Sequence, residues 1–305
     1  DIEQSIAQVY IQILYAAESV KVNENTLQVS EAQRDRGKQL LDAGSIARSD
    51  YAQLEAQVST DRYQLVTAQA TLQDYKLQLK QLLELDGEQE MQVYLPALGD
   101  ENVLSPLPTK TDVFRSAVAL RPEIEASKLS VEASELGIGI AKSGYLPSVS
   151  LTAGIGTNHT SGSDFTFSEQ VKNGWNNSIG LSISVPIFNN RQTKSAVEKA
   201  KLQYQTSQLT LLDEQKTLYK TIEGLWLDAN SAQQRYAAAI EKLHSTQTSY
   251  ELVSEQFNAG MKNTVELLTE KNNLLQAQQE LLQSKYMAIL NTQLLKFYQG
   301  DKITL

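Results

Sequence analysis

Apolar residues in the second half of the chain recur with alternating steps of three and four positions. The stripe comprises Leu218, Ile222, Leu225, Ala229, Ala232, Tyr236, Ala239, Leu243, Thr246, Tyr250, Val253 and Phe257. A 3.5-residue period held this long is typical of a helix that supercoils against its neighbours. Because Gly224 is the only glycine or proline between Phe188 and Gly260, the sequence predicts one helix of roughly 70 residues, about 100 Å long.

The pattern resumes after Gly260 and continues from about Thr264 to Tyr298 on two adjacent rows. The rows are Leu267, Leu274, Ala277, Leu281, Ala288, Leu295 and Tyr298, and Leu268, Leu275, Leu282, Tyr286 and Ile289. Two adjacent stripes predict contact with more than one helix. The residues before Gly260 are Asn258 and Ala259, and a glycine at this position suits a left-handed helix cap. The chain is therefore expected to reverse there into an antiparallel helical hairpin.

The same pattern recurs 216 residues earlier. The shifted stripe is Ile2, Ile6, Val9, Ile13, Ala16, Val20, Asn23, Leu27, Ser30, Arg34, Gly37 and Leu41, and it becomes more polar toward the turn. At this offset Gly44 aligns with Gly260, and Asp50 aligns with Glu266. The agreement predicts two copies of a helix-turn-helix unit. The first copy begins partway along its long helix, so we expect the sequence to be a piece of a longer polypeptide.

Between the two copies the heptad pattern gives way to strict alternation. The apolar members are Val149, Leu151, Ala153 and Ile155 in one run, and Ile179, Leu181, Ile183, Val185 and Ile187 in the other. Serine, threonine and glycine fill most of the intervening positions, so each run predicts a strand with one apolar and one small or polar face. Runs of about 9 to 11 residues suit tilted strands that cross a bilayer, with the apolar face toward lipid. In a soluble protein a helix or a second sheet would have to cover that face.

Two strands cannot close a barrel, because their outer edges would be unpaired in lipid. The repeat predicts a second pair ahead of residue 1, and several chains would have to combine. The remaining elements are a helix at 122–143, a short strand at 91–95 and a short helix near 112–120. The predicted organisation is a first hairpin at 1–85, a connector at 86–121, a helix at 122–144, a strand hairpin with its loop at 145–189, a second helical hairpin at 190–299 and a tail at 300–305.

Composition excludes several classes of function. The 305 residues carry a net charge of −9, which argues against a nucleic-acid surface. With no cysteine, the sequence has no thiolate metal site and no cysteine nucleophile. His159 and His244 have no ligand spacing, and no nucleophile, metal or phosphate motif is present. We therefore expect neither enzymatic activity nor a cofactor.

Several short runs resemble the TolC-like outer-membrane efflux family. They are RPEI at 121–124, AKSGYLPSVSL at 141–151, VPIFN at 185–189 and the two glycine turns with their glutamine-rich following helices. The resemblance implies a homotrimer with a β-barrel in the cell outer membrane and a long α-helical barrel in the periplasm. It also implies an exit duct for small molecules or proteins, whose helix tips meet a periplasmic adaptor and, through it, an inner-membrane pump.

The resemblance also implies roles for residues near the two turns. In the family, acidic residues after the second turn ring the periplasmic entrance, and a nearby basic residue restrains it. Glu266 and Lys262 match those positions, whereas Thr269 stands where a second acid is common. Asp50 and Arg48 are the corresponding candidates in the first copy. An ordinary first-turn acid favoured by the helix dipole is the alternative for both carboxylates.

Gly44 and Gly260 suit the turn geometry that an adaptor would recognise. The predicted fold is mainly α with one β-hairpin: two repeated coiled-coil hairpins forming an α-barrel protomer, plus two transmembrane β-barrel strands. The predicted function is the outer-membrane channel of a tripartite efflux or type I secretion system. A soluble periplasmic coiled-coil scaffold or adaptor is the alternative, and it requires the strand residues Val149, Leu151, Leu181 and Ile183 to be buried under a helix of the same chain.

Overall fold

The computed structural model describes residues 2–85, 91–96, 99 and 103–303. Its elements are α1 (Ile2–Asp42), α2 (Arg48–Leu82), α3 (Lys110–Leu120), α4 (Pro122–Ser143), β1 (Ser148–Gly156), α5 (Phe167–Asn173), β2 (Asn176–Ser184), α6 (Gln192–Asn258) and α7 (Thr264–Gln299). They form two compact units, one of residues 1–120 with 218–305 and one of residues 121–217. The helix α6 contributes residues to both units.

The first unit is a set of long helices packed along their apolar stripes. Every position of the predicted α6 stripe is buried or half-buried, and Ala229, Ala232 and Tyr236 are at most 1% exposed. Tyr236 packs in a cluster with Leu14 of α1 and Ile289 of α7. The α7 helix contacts α1, α2 and α3, as its two adjacent apolar rows predict. Within the described residues, no helix has an apolar stretch long enough to cross a membrane.

The described residues between α2 and α3 form no regular element, and side chains of the helices bind them. Residues 91–96 form no strand, so the predicted strand at 91–95 is wrong. Among the described residues no strand lies beside this segment, and the Tyr10 hydroxyl donates to the Tyr94 carbonyl over 2.7 Å instead. Further along, the Gln233 amide donates to the carbonyls of Val103 and Ser105, and the indole N–H of Trp226 donates to the Pro108 carbonyl. These residues of α6 therefore bind the connector through its backbone.

The second unit contains a two-stranded antiparallel sheet. The register pairs Val149 with Ile183 and Leu151 with Leu181, so the apolar residues of both strands lie on one face. The predicted helix before the sheet is confirmed as α4, which has Pro122 in its first turn. The strand β2 ends at Ser184, so Val185 and Ile187 lie beyond it and not within the strand as predicted. Pro186 explains this boundary, because its backbone nitrogen has no hydrogen to donate to a ladder.

Candidate functional site

Both helical hairpins of the first unit turn through the same backbone motif. Gly44 has φ = +72° and Gly260 has φ = +75°, a conformation that favours glycine. At each turn the glycine N–H and the next N–H return to carbonyls of the preceding helix, with N–O distances of 2.8–2.9 Å. This is the Schellman motif, which satisfies carbonyls that a helix end would otherwise leave unpaired. An added Cβ would meet nothing within 4 Å at either position, so backbone geometry and not space requires the glycine.

The start of α7 after Gly260 is closed by a reciprocal cap. The Asn263 side chain accepts from the Glu266 N–H over 2.9 Å, and the Glu266 carboxylate accepts from the Asn263 N–H over 3.2 Å. Lys262 also forms an ion pair with Glu266. The hydrogen bonds from Lys262 and from the Asn263 backbone hold the pKa of the Glu266 carboxyl below its usual value. Thr269 donates to the Val265 carbonyl within the helix.

The first turn has a weaker version of this cap. The Asp50 carboxylate accepts from the Ala47 N–H over 3.3 Å, but the Ala47 methyl group has nothing with which to accept in return. Arg48 is exposed and forms no ion pair with the residues that the structure describes. The structure thus brings Lys262 and Glu266 together, whereas Arg48 and Asp50 are not paired with each other.

The two turns lie close together at the same end of the first unit. Leu54, which follows the first turn, packs with Phe257 before the second turn and with Leu267 after it. Arg36 donates to the carbonyl of Asn258 over 3.4 Å, which joins α1 to the end of α6. Turns at opposite ends would have contradicted the predicted arrangement, and these contacts show that the two turns lie at the same end of the unit.

A buried polar cluster of Ser30, Asp61 and Lys271 joins α1, α2 and α7. Lys271 is 3% exposed and Asp61 is 1% exposed, and they form an ion pair to which the hydroxyl of Ser30 is also hydrogen-bonded. The Gln57 amide donates to the other Asp61 oxygen over 2.8 Å. Burial lowers the pKa of the Lys271 ammonium, and the hydrogen bond to Asp61 opposes that shift.

This cluster was not predicted from the sequence, although a signal was present. Asp61 follows the buried residues Leu54 and Val58 at steps of four and three, and Lys271 follows Leu267 by four. Both charges therefore occupy positions on the apolar stripes of their helices. A charged residue on such a stripe predicts a buried partner, because an unpaired charge there is too costly.

The strand hairpin of the second unit presents two chemically different faces. The predicted lipid-facing residues are all solvent-exposed in the chain, from 58% for Val185 to 84% for Ile179, and include Val149, Leu151, Ile155, Leu181 and Ile183. The opposite face pairs Ser148 with Ser184 and Ser150 with Ser182. No described helix covers the apolar face. The soluble scaffold alternative requires a helix of the same chain to bury that face, so the structure lacks the feature on which this alternative depends.

The sequence of this chain is similar to a known protein family and to individual members of known function. Residues 113–300 match the family described as outer membrane efflux protein. The outer membrane protein TolC of Escherichia coli is 25% identical over 299 residues, which cover 93% of this chain and 58% of TolC. The alkaline protease secretion protein AprF of Pseudomonas aeruginosa is 23% identical over 297 residues, which cover 97% of this chain and 60% of AprF.

A solved structure of CusC, described for its transmembrane channel formation, superimposes with a TM-score of 0.82 at 20% identity. The match covers 97% of this chain and 67% of that one. The chain thus spans about three fifths of the length of TolC and AprF. The family match covers more than half of the chain, and it confirms the resemblance seen in the short sequence runs. The chain belongs to the outer membrane efflux protein family.

Proposed function

We propose that this chain is part of an outer-membrane channel, the passive exit duct of a tripartite efflux or type I secretion system. The strand hairpin would lie in the cell outer membrane and the long helices in the periplasm. Membership of the outer membrane efflux protein family supports this function, as do the names of the relatives TolC and AprF. The duct would act without catalysis or a cofactor, because transport through it needs only a continuous passage.

The observation that carries the proposal is the exposed apolar face of the hairpin. Leu151 and Leu181 face each other across the ladder and are 74% and 68% exposed. In water such a contiguous apolar patch is unfavourable, at about 25 cal/mol for each Å². In a bilayer the same side chains meet hydrocarbon, and the serine face meets the aqueous interior of a barrel.

A barrel needs more strands than this hairpin supplies. Both outer edges of a two-stranded sheet present unpaired N–H and C=O groups, which lipid cannot satisfy. We propose that three copies of the protein, each with a second strand pair from a repeated unit, close the barrel as a homotrimer. The matching Schellman turns at Gly44 and Gly260, and the matching acids Asp50 and Glu266, support the repeat.

The paired turns are the proposed contact for a periplasmic adaptor and, through it, an inner-membrane pump. Gly44 and Gly260 expose backbone of defined geometry at one end of the helical unit. Glu266 with Lys262, and Asp50 with Arg48, are the proposed residues of the periplasmic entrance. Three copies of a carboxylate around one axis would attract cations, and salt would screen that attraction.

A pair of single-cysteine variants tests the membrane assignment. The chain has no cysteine, so Leu181→Cys and Ser182→Cys each introduce one labelling site, on opposite faces of the same strand. In vesicles that hold the assembled protein, we expect a fluorophore at position 181 to be quenched by lipid-borne nitroxides. A fluorophore at 182 should be quenched by iodide added in water. Equal iodide quenching at both positions would contradict the proposal and favour the soluble scaffold.

A further inference from the structure

The segment between β1 and β2 is folded into a capped helix. The Thr166 N–H donates to the Glu169 carboxylate over 3.0 Å, and the Thr166 hydroxyl accepts from the Glu169 N–H, which closes the start of α5. The Gln170 side-chain amide makes two hydrogen bonds to the backbone of the segment that precedes α5. It donates to the Phe165 carbonyl and accepts from the Thr160 N–H, each over 2.8 Å. The conformational entropy of this segment is therefore already lost before it meets a partner.

The helix α5 exposes a compact apolar surface. Phe167 and Val171 are one turn apart on the same side of the helix, and Trp175 is the second residue after its end. Phe167 is 65% exposed and Trp175 is 58% exposed. Together with Ser168 and Lys172, these residues line a shallow concave surface. Glu169, in contrast, lies on the opposite side of α5, where the cap occupies its carboxylate.

A hydrogen bond joins α5 to the residue that directly follows β1, and the alternation of the strand places that residue on the apolar side. Odd-numbered residues of β1 form the apolar face, and Thr157 continues that alternation directly after the strand. The Thr157 hydroxyl donates to the Val171 carbonyl over 3.0 Å. Gly174 permits this approach, because an added Cβ there would lie 3.1 Å from the Thr157 hydroxyl oxygen and 2.8 Å from the Gln170 carbonyl oxygen. Trp175 has the same odd-numbered parity as Ile179 and Leu181.

We infer that α5 and Trp175 form an interfacial anchor that lies in the headgroup layer of the membrane that receives the hairpin. Phe167, Val171 and Trp175 contact the boundary between headgroups and acyl chains, where amphipathic aromatic residues are favoured. Lys172 contacts anionic lipid phosphates. Among the described residues no carboxylate forms an ion pair with Lys172, so its charge is available. The inference rests on the proposed function, because it requires the hairpin to enter a bilayer.

Tryptophan fluorescence tests the anchor directly. The two tryptophans of this chain are Trp175 and Trp226, and Trp226 lies in the helical unit. In Trp226→Phe protein reconstituted in vesicles, we expect lipids brominated near the glycerol end of their acyl chains to quench Trp175 strongly. Lipids brominated near the terminal methyl should quench it less. Trp175→Phe protein, in which Trp226 remains, should show no quenching by either lipid.

Matched variants separate the anchor from a general effect on the loop. Phe167→Ser should remove most of the bromolipid quenching, whereas Phe165→Ser, which changes an aromatic outside α5 that is 62% exposed, should leave it unchanged. Lys172→Gln should abolish the increase in quenching on adding phosphatidylglycerol to phosphatidylcholine vesicles. Equal losses in Phe167→Ser and Phe165→Ser would contradict the assignment to the α5 face.

The outcomes also distinguish this inference from the proposed function. A position-181 fluorophore quenched in lipid, together with a Trp175 that aqueous acrylamide quenches fully, would overturn the anchor and leave the channel intact. If neither probe reaches lipid, the proposed membrane function fails and the anchor fails with it. Quenching of both probes by lipid supports both.

Discussion

Neutralising Asp61 should destabilise the helical unit because it leaves the Lys271 ammonium buried without its counter-charge. Asp61→Asn keeps the shape of the side chain, removes its charge and replaces one of the two acceptor oxygens by an NH2 group. Breaking a buried ion pair by removing one partner costs about 3–5 kcal/mol. Both side chains are at most 3% exposed, so water cannot replace the lost partner. We expect the free energy of unfolding to fall by about 3 kcal/mol, since the Ser30 hydroxyl still accepts from Lys271.

A double-mutant cycle isolates the interaction. Lys271→Met should cost a similar amount, whereas the double variant removes both charges and should lose much less than the sum of the two single losses. The expected coupling energy is about 2–3 kcal/mol. In a Trp175→Phe background, equilibrium urea unfolding followed by Trp226 fluorescence measures all four proteins, because Trp226 lies in the same unit as the cluster.

The pH dependence gives a second, independent readout. Burial already lowers the pKa of Lys271 from 10.5 in the intact protein, and losing Asp61 should lower it further. A base whose folded pKa lies below its unfolded pKa binds fewer protons when folded, so stability rises with pH between those two values. The loss in Asp61→Asn should therefore shrink as the pH rises from 7 toward 10. Additive single losses, or a loss that is the same at both pH values, would refute the description of the pair as coupled.

Three further results are expected. Gly37→Ala should destabilise the first hairpin by about 1–2 kcal/mol in urea unfolding, because the new Cβ would lie 2.3 Å from Cδ1 of the buried Leu54. The cost of this steric clash exceeds the gain in helix propensity from replacing glycine by alanine. Gly260→Ala should cost about 1 kcal/mol through its positive φ, and a Gly224→Ala control, in a helix with open space, should not destabilise. The folded protein lowers the pKa of Glu266, so the contribution of this carboxylate to stability is present above pH 4.5 and is lost as the pH falls through the lower folded value. Glu266→Gln should therefore flatten the fall in melting temperature on acidification. An acid profile of melting temperature that is unchanged in this variant would contradict the prediction.

Much of the fold was predictable because its signals are local. The α6 stripe and the proline at the start of α4 each specify an element from neighbouring residues alone, and the strand alternation specifies the apolar face of the hairpin. The predicted limits of α4 match the structure at Pro122 and Ser143. The errors arose where a partner decides the outcome. Residues 91–95 have strand-like composition, but in the described part of the chain no strand lies beside them. The strand β2 stops before Pro186 because its ladder needs backbone N–H donors.

The candidate site was predictable only in part, for a similar reason. The glycine turns and the acid three residues into α7 carry recognisable local patterns. Asp61 and Lys271 are 210 positions apart, and each lies in a helix rich in charged and amide side chains. Only the folded arrangement shows which of those many charges is shielded from water. The order within the loop after β1 was also not foreseen, because it depends on two hydrogen bonds between the Gln170 side chain and the backbone of Phe165 and Thr160, which no sequence motif indicates.

The way α6 holds the connector has a consequence for how this protein tolerates sequence change. Gln233 and Trp226 bind carbonyl oxygens of Val103, Ser105 and Pro108, groups that every amino acid possesses. The side chains of Ser105 and Pro108 can therefore vary while the backbone path is preserved, provided that Gln233 and Trp226 remain, whereas the Val103 side chain is buried in the core and is not free to vary. Sequence variation is expected to concentrate at positions 105 and 108, and constraint at Gln233, Trp226 and Val103.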